Sequence, residues 1–298
     1  MYDVIIIGCG PAGMTSAIYA ARANKKVLIL EKESIGGQMS SAPLIENYPG
    51  YTSISGSELA NNMFEQVSAL DVDFELEEVL EIKDGDIKTV VTDCNEYKTK
   101  TVIIATGSKY RLLGLDNEVN LIGNGIHFCT ACDGIFFKDK IIAIIGGGNS
   151  AVINALTMSD ICKKVYVIQN MPNLTCESIL EDKLREKKNV EIIVNSTVGT
   201  ILGHDSLESI IINYNGQDEE IKLDGMFISI GLIPQSEFVK NILDINKFGY
   251  IESNNCVTNI PGIFVAGDCR DKSYRQVTIS TGDGTIAATE AINYLNNN

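Results

Sequence analysis

The run Tyr2-Asp3-Val4-Ile5-Ile6-Ile7-Gly8-Cys9-Gly10-Pro11-Ala12-Gly13 decides the fold of this 298-residue chain. Its first half, Tyr2–Ile7, is a short unbroken apolar stretch, the signature of a parallel strand covered on both faces. The strand breaks at Gly8, and a helical spacing of small residues follows through Ala17, Ala20 and Ala21. A second apolar run at 27–30 ends in Glu31, about twenty residues past the glycines, where a dinucleotide-binding βαβ unit carries its acid. Gly8 makes the tight turn, Gly10 lets the backbone approach a pyrophosphate, and Gly13 lets helix and strand pack closely. The helix N-terminus turns its N–H groups and positive dipole end toward the phosphates. Glu31 is placed to accept from a ribose hydroxyl. A glycine turn kept for packing alone is the rival reading; strand, helix and terminal acid together favour the nucleotide.

The pattern returns in the middle of the chain. An apolar run at 140–145 enters Gly146-Gly147-Gly148-Asn149-Ser150-Ala151, with a helix after it and a strand at 165–168. One Rossmann-like half therefore follows another, with a second unit beginning near Leu115. Beyond the strand stand Gln169-Asn170-Met171-Pro172-Asn173-Leu174-Thr175. No acid is present there for a ribose diol and no arginine for a 2′-phosphate, the groups by which such a loop holds NAD or NADP.

Just ahead of the apolar run at 140–145 lies Cys129-Thr130-Ala131-Cys132-Asp133-Gly134. Two cysteines at this spacing can close into a disulfide and reopen, and the local geometry can lower one thiol's pKa to make it the attacking thiolate. Asp133 is placed to move a proton to or from the leaving sulfur. Half of a zinc site is the alternative, and it needs a second ligand pair at short spacing. Cys9, Cys94, Cys162, Cys176, Cys256 and Cys269 form none, and His127 and His204 are the only histidines. Redox work is favoured and no metal is expected.

The remaining segments fill in the architecture. Gly36-Gly37-Gln38 and Asn47 lie in loops, and 58–70 has helical spacing. The stretch 72–91 reads as short strands turning at Asp84-Gly85-Asp86. A buried strand at 101–104 ends in Ala105-Thr106-Gly107, small residues that let a ligand come close. Residues 180–188 read as a solvated helix. Strands are expected at 190–194, 201–202, Ser209–Tyr214 and 226–230, and Gly231-Leu232-Ile233-Pro234 as a turn. A last strand at 262–266 precedes Gly267-Asp268-Cys269. Arg275-Gln276-Val277 then leads through Gly282 and Gly284 to a helical run at 286–295. Asp268 is placed to bind a hydroxylated chain, and the last helix's first turn to stabilise negative charge on a reduced ring.

Bulk properties set the outer limits. With 45% apolar and 21% charged residues the chain has the composition of a globular protein with ample core. No run reaches the roughly 18 apolar residues that span a bilayer. The first strand begins at once, leaving no room for a secretory signal. Eight cysteines in so long a chain do not make a disulfide scaffold, so a reducing, cytoplasmic setting is expected. A net charge of −15 argues against sequence-independent binding to nucleic acid or anionic membrane.

Over essentially its whole length the chain resembles the low-molecular-weight flavin thioredoxin reductases. The resemblance is carried by Gly8–Gly13 with Glu31, Gly36-Gly37-Gln38, Asn47, Ala105-Thr106-Gly107, Cys129/Cys132/Asp133, Gly267-Asp268 and Arg275-Gln276-Val277. It implies an α/β fold of two Rossmann-like (three-layer ββα) domains. A discontinuous FAD-binding domain, 1–114 and 241–298, would hold an inserted smaller redox domain, 115–240. It also implies a homodimer, with Cys132 facing the flavin, Cys129 attacking the substrate disulfide and Asp133 as acid/base. The implied cofactor residues are Gly8, Gly10, Pro11, Ala12, Gly13, Glu31, Gly37, Gln38, Asn47, Ala105, Thr106, Gly107, Gly267, Asp268, Arg275, Gln276 and Val277.

Members that use NADPH carry an HRRxxxR pattern after the second domain's second strand. Gln169, Asn170, Met171 and Thr175 hold those positions here, and Asn149, Ile153 and Asn154 stand where acids are usual. Each charge-assisted hydrogen bond lost is worth about 1.5–3 kcal/mol, so the four together remove several decades of affinity. In this the chain resembles the ferredoxin-dependent flavin thioredoxin reductases, which keep FAD and the thiol pair without the NADPH determinants. The expectation is electron flow from reduced ferredoxin through FAD and the Cys129–Cys132 disulfide to thioredoxin, with NADPH not the donor. Three other readings compete: a flavin dithiol oxidase using oxygen, an NAD(P)H-dependent reductase with unorthodox contacts, and a flavin-binding protein without enzymatic role.

Overall fold

The computed structural model describes residues 1–214 and 216–298. The chain folds as two compact units: Met1–Lys109 with Ile233–Asn298, and Tyr110–Leu232.

The first unit begins with β1 (Tyr2–Ile7), α1 (Pro11–Arg22) and β2 (Val27–Glu31), followed by α2 (Gly56–Ser68). Val4 to Ile7 and Val27 to Leu30 are buried, as strands covered on both faces must be. β3 (Val72–Leu76) extends the parallel set on one side. The hairpin strands β4 (Val79–Lys83) and β5 (Lys88–Thr92) continue antiparallel into β6 (Glu96–Ile104). β7 (Ser108–Tyr110) then leads away.

The second unit opens with β8 (Ile126–His127), the one-turn helix α3 (Thr130–Asp133), β9 (Ile141–Ile145), α4 (Asn149–Ser159) and β10 (Lys164–Ile168). α5 (Ser178–Arg185) and β11 (Val190–Ile193) follow. β12 (Ser196–Leu202), β13 (Ser209–Tyr214) and β14 (Gln217–Lys222) make a separate antiparallel sheet. β15 (Gly225–Ile228) returns to complete a five-stranded parallel sheet in the order β11-β10-β9-β15-β8. β16 (Leu232–Pro234) pairs with β7, so the chain's two crossings form one ribbon.

Back in the first unit, β17 (Ile263–Val265) pairs parallel with β6, and α6 (Val277–Asn297) closes the chain. The seven-stranded sheet runs β3-β2-β1-β6-β5-β4, with β17 also on β6. Apolar clusters lie on both of its faces, one holding Val4, Ile6 and Ile29, the other Ile5, Ile7 and Leu28.

The structure corrects two readings. Residues 232–234, expected as a turn with Gly231, form β16; their partner β7 is more than a hundred residues away and leaves no local signal. β7 and β16 lie where the chain passes from one unit to the other, at 109/110 and 232/233. The last helix starts at Val277 rather than 286. Gly282 and Gly284 lie inside it: a Cβ on Gly284 would stand 2.3 Å from Ala12 O, so this glycine lets α6 press on α1. Ser16 Oγ donates to Gly284 O across the same contact (3.0 Å).

Candidate functional site

The implied cofactor residues converge inside the first unit. Gly8 takes φ +106°, and a Cβ there would meet Ala105 O at 2.4 Å; a Cβ on Gly13 would meet Gly8 O at 1.9 Å. Ala105 N donates to Ile7 O (2.8 Å), fixing the Ala105-Thr106-Gly107 turn beside the first glycine. Thr106 Oγ1 donates to Gln235 O (2.5 Å) and Ser108 Oγ to Asp268 O (2.6 Å). Gly267 (φ +77°) presses on Ala12, where an added Cβ would sit 3.0 Å from the alanine Cβ.

Gly37 opens the 3-10 helix Gly37–Ser41 that carries Gln38, and a Cβ on it would stand 3.7 Å from Gly10 Cα. Asn47 Nδ2 donates to Gln276 Oε1 (3.4 Å) at the start of α6, whose first residue is Val277. Asp268 is steadied by Lys272 (2.9 Å) and Ser280. Lys272 and Arg270 both reach the buried Asp283, which also accepts from Gly267 N. Glu31, at the end of β2, accepts from Cys9 N (2.7 Å) and from the N–H groups of Lys32 and Glu33 (2.9 Å each). Its carboxylate is thus aimed at the mouth of the glycine turn.

Two observations test whether this cradle fits a dinucleotide such as FAD. Gly10 caps α1 with φ −80° and ψ −176°, a conformation open to any residue, and a Cβ on it would touch nothing within 4 Å. Neither packing nor backbone geometry requires glycine there. The space a Cβ would fill is open to a ligand approaching the backbone, and no side chain caps the helix end in its place. The second is Arg275, whose guanidinium lies over the Tyr250 ring (4.2 Å) with a buried Nε that has no hydrogen-bond partner among the described residues. Such a donor is normally satisfied. The residues fit.

In the second unit Cys129 and Cys132 form a disulfide (Cα–Cα 5.2 Å). Cys129 caps α3, and the N–H groups of Cys132 and Asp133 donate back to Cys129 O (3.1 and 3.0 Å). Three residues the sequence reading did not assign hold this turn. His127 Nδ1 lies 3.0 Å from Asp133 Oδ2. Thr130 Oγ1 donates to Asn154 Oδ1 (2.7 Å), and Asn154 Nδ2 to Ser229 Oγ (3.0 Å). Only the scarcity of histidine, two in the chain, pointed to His127 in advance. The other cysteines sit apart. Burial pushes the Cys9 and Cys256 thiols up to about 12 and Cys162 to about 11.

The second glycine loop keeps its shape but not its charge. Gly146 (φ +126°) packs on Ser229 O, and a Cβ on Gly148 would meet only Thr175 Oγ1, at 3.8 Å. Gln169 is buried against Gly147, where a Cβ would stand 2.6 Å from its Nε2. At the N-terminus of α4, Asn149 donates to the Glu177 carboxylate (3.0 Å) and accepts from Glu177 N (2.8 Å). A carboxylate therefore stands beside the first residue of α4, near the positive end of the helix dipole. Met171, at one of the positions where arginine is usual, is half exposed.

A family model described as pyridine nucleotide-disulphide oxidoreductase matches residues 2–284. A Bacillus subtilis protein named thioredoxin reductase is 40% identical, over 99% of this chain and 95% of its own. A Clostridium pasteurianum protein described as a 34.2 kDa protein in the rubredoxin operon is also 40% identical, over 98% and 97%. Among solved structures, the thioredoxin reductase of Streptococcus pyogenes superposes with a TM-score of 0.96 at 41% identity, covering 100% of this chain and 99% of that one.

Proposed function

The chain belongs to the pyridine nucleotide-disulphide oxidoreductase family, among its low-molecular-weight thioredoxin reductases, and from that premise we propose that it is an FAD-dependent thioredoxin-disulfide oxidoreductase fed by reduced ferredoxin. The observation that carries the choice of donor is the α4 N-terminus. The Glu177 carboxylate lies against the Asn149 side chain at the first residue of that helix, and Gln169, Asn170, Met171 and Thr175 supply no cation around it. A dinucleotide phosphate there would meet a carboxylate without the charge-assisted bonds that make such contacts strong.

Glu31 would take the adenosine ribose, and Gly10 with the α1 N-terminus the pyrophosphate. Asp268, Arg275, Gln276, Asn47 and the Ala105-Thr106-Gly107 turn would hold the rest. When bound, FAD supplies the step between a one-electron donor and a two-electron disulfide. The remaining chemistry belongs to the dithiol form of the cysteine pair. Cys129, as thiolate, attacks the thioredoxin disulfide; the S–S bond breaks and one thioredoxin sulfur leaves and takes a proton. Cys132 gives its proton to Asp133 and attacks Cys129, closing the Cys129–Cys132 bond as the second thioredoxin thiol departs. We assign the working molecule to a cytoplasmic homodimer, following the same resemblance.

An NAD(P)H-fed reductase is the second reading, and the open space beside Gly148 favours it. Anaerobic titration of the purified flavoprotein with NADPH, NADH and reduced ferredoxin, followed by oxidised thioredoxin, separates the two. Ferredoxin should bleach the flavin, and thioredoxin should restore its colour. Rapid bleaching by micromolar NADPH or NADH overturns the proposed donor, and steady oxygen uptake with a dithiol points to an oxidase.

A further inference from the structure

We propose that His127 is the positioning residue of Asp133: ring Nδ1 holds carboxylate Oδ2, and the two side chains share one proton that serves the Cys129–Cys132 pair. The inference rests on the dithiol chemistry proposed for those cysteines. His127 is 7% exposed, whereas His204, the chain's other histidine, is almost wholly in solvent beside Asp205. His127 ends β8 and is fixed there by its register with Phe227 of β15. Phe137 meets the ring edge-on (centroids 5.2 Å) and Phe227 lies at 5.5 Å. Against these apolar walls a contact between imidazole and carboxylate is weakly screened.

Asp133 ends the one-turn helix that carries both sulfurs, and its side chain is 15% exposed. The bond to a ring anchored in the sheet selects one orientation.

The elements packed around the pair bring few other charges. α3 contributes Asp133 and the two cysteines, β15 contributes Phe227 and no titratable side chain, and 134–137 contributes Phe137. The Lys140 ammonium stands over that phenylalanine ring (5.3 Å). Imidazole is the side chain that changes charge near neutral pH, where an isolated carboxylate is already ionised and holds no proton to give. Pairing the two provides such a proton. When a dithiol such as dithiothreitol reduces the disulfide, the S–S bond breaks and two electrons arrive from the reagent, which closes to its own disulfide. One protein sulfur then takes the shared proton, and solvent recharges the pair.

With two histidines in the chain, labelling the rings with 13C at Cε1 gives a spectrum in which His204 is an internal control. In the purified flavoprotein the pH titration of the His127 signal should differ between disulfide and dithiol forms. It should move again in Asp133→Asn, while His204 stays still. In dithiothreitol-reduced protein His127→Phe should slow iodoacetamide alkylation of the more reactive thiol roughly tenfold. His127→Asn, whose amide stands where Nδ1 stood, should recover that rate with a flatter pH profile.

A His127 titration indifferent to redox state and to Asp133→Asn overturns the proposal, whatever the alkylation rates do. A moved titration with wild-type alkylation in both His127 variants overturns it too. If His127→Phe does not fold, the spectra of the wild type and Asp133→Asn decide. A thiol count that fails to rise on dithiothreitol treatment removes the cysteine chemistry itself, and the proposal with it.

Discussion

Alanine at Gly10 and alanine at Gly13 should part what the first glycine turn does for the fold from what it does for a ligand. At Gly13 the new Cβ would stand 1.9 Å from Gly8 O, a backbone atom that cannot swing away. Helix α1 must shift against β1 by more than an ångström, an overpacking cost of about 3 kcal/mol. At roughly 2–4 °C per kcal/mol for a domain of this size, the apoprotein should melt about 6–12 °C lower. At Gly10 the new Cβ meets nothing within 4 Å, and φ −80° suits alanine. The unfolded chain loses freedom and the folded one loses nothing, so the apoprotein should gain about 0.4–1 kcal/mol.

The same methyl group should stand between the α1 N-terminus and the pyrophosphate. Losing one charge-assisted hydrogen bond, about 1.5–3 kcal/mol, weakens FAD binding roughly ten- to hundredfold. Apoprotein is prepared by stripping the flavin; thermal melts give the first quantity and quenching of FAD fluorescence on titration gives the second. A Gly10→Ala protein that binds FAD as tightly as the wild type refutes the reasoning. So does one whose apoprotein melts well below the wild type.

Two further outcomes follow from buried groups. Cys9 and Cys256 are pushed up to about 12 by burial, while a thiol in the unfolded chain titrates near ~8.5. Below the lower value both states keep the proton and these groups make no pH-dependent difference. Above it the unfolded chain ionises first, so stability falls until pH passes the folded value; at pH 10 the loss is about 2 kcal/mol per thiol. Urea midpoints at pH 8 and pH 10 measure it, and a Cys256→Ala variant with an undiminished pH slope would contradict the assignment. Asn154→Leu strips Thr130 and Ser229 of a shared partner, at a cost of about 1–3 kcal/mol for the stranded hydroxyls. The melting temperature should fall, and a Thr130→Ala, Asn154→Leu pair should lose less than the sum of the two single changes.

Much of the frame was legible because its signals are local. β1, β2 and β9 are covered on both faces, so each reads as a continuous apolar run whose end is marked by glycine or Glu31. The charged strand β14, Gln217–Lys222, escaped notice because five of its six residues face solvent and it carries one buried apolar side chain, Ile221. The start of α6 was hidden by Gly282 and Gly284, which count against a helix until α1 is seen lying on it. Asn154 is one more polar residue on a helix until Thr130 and Ser229 arrive from elsewhere in the chain.

The order of apolar runs, glycines and acids determined by itself that this chain builds two nucleotide-type βαβ units and carries a cysteine pair with an acid beside it. Such features follow from hydrogen bonding and sterics among residues near one another in sequence. Tertiary structure alone decided which glycines serve packing and which leave room, that Glu177 sits at the α4 N-terminus, and that His127 holds Asp133. Those facts depend on which strand lies beside which, and sequence spacing does not encode distances across a sheet.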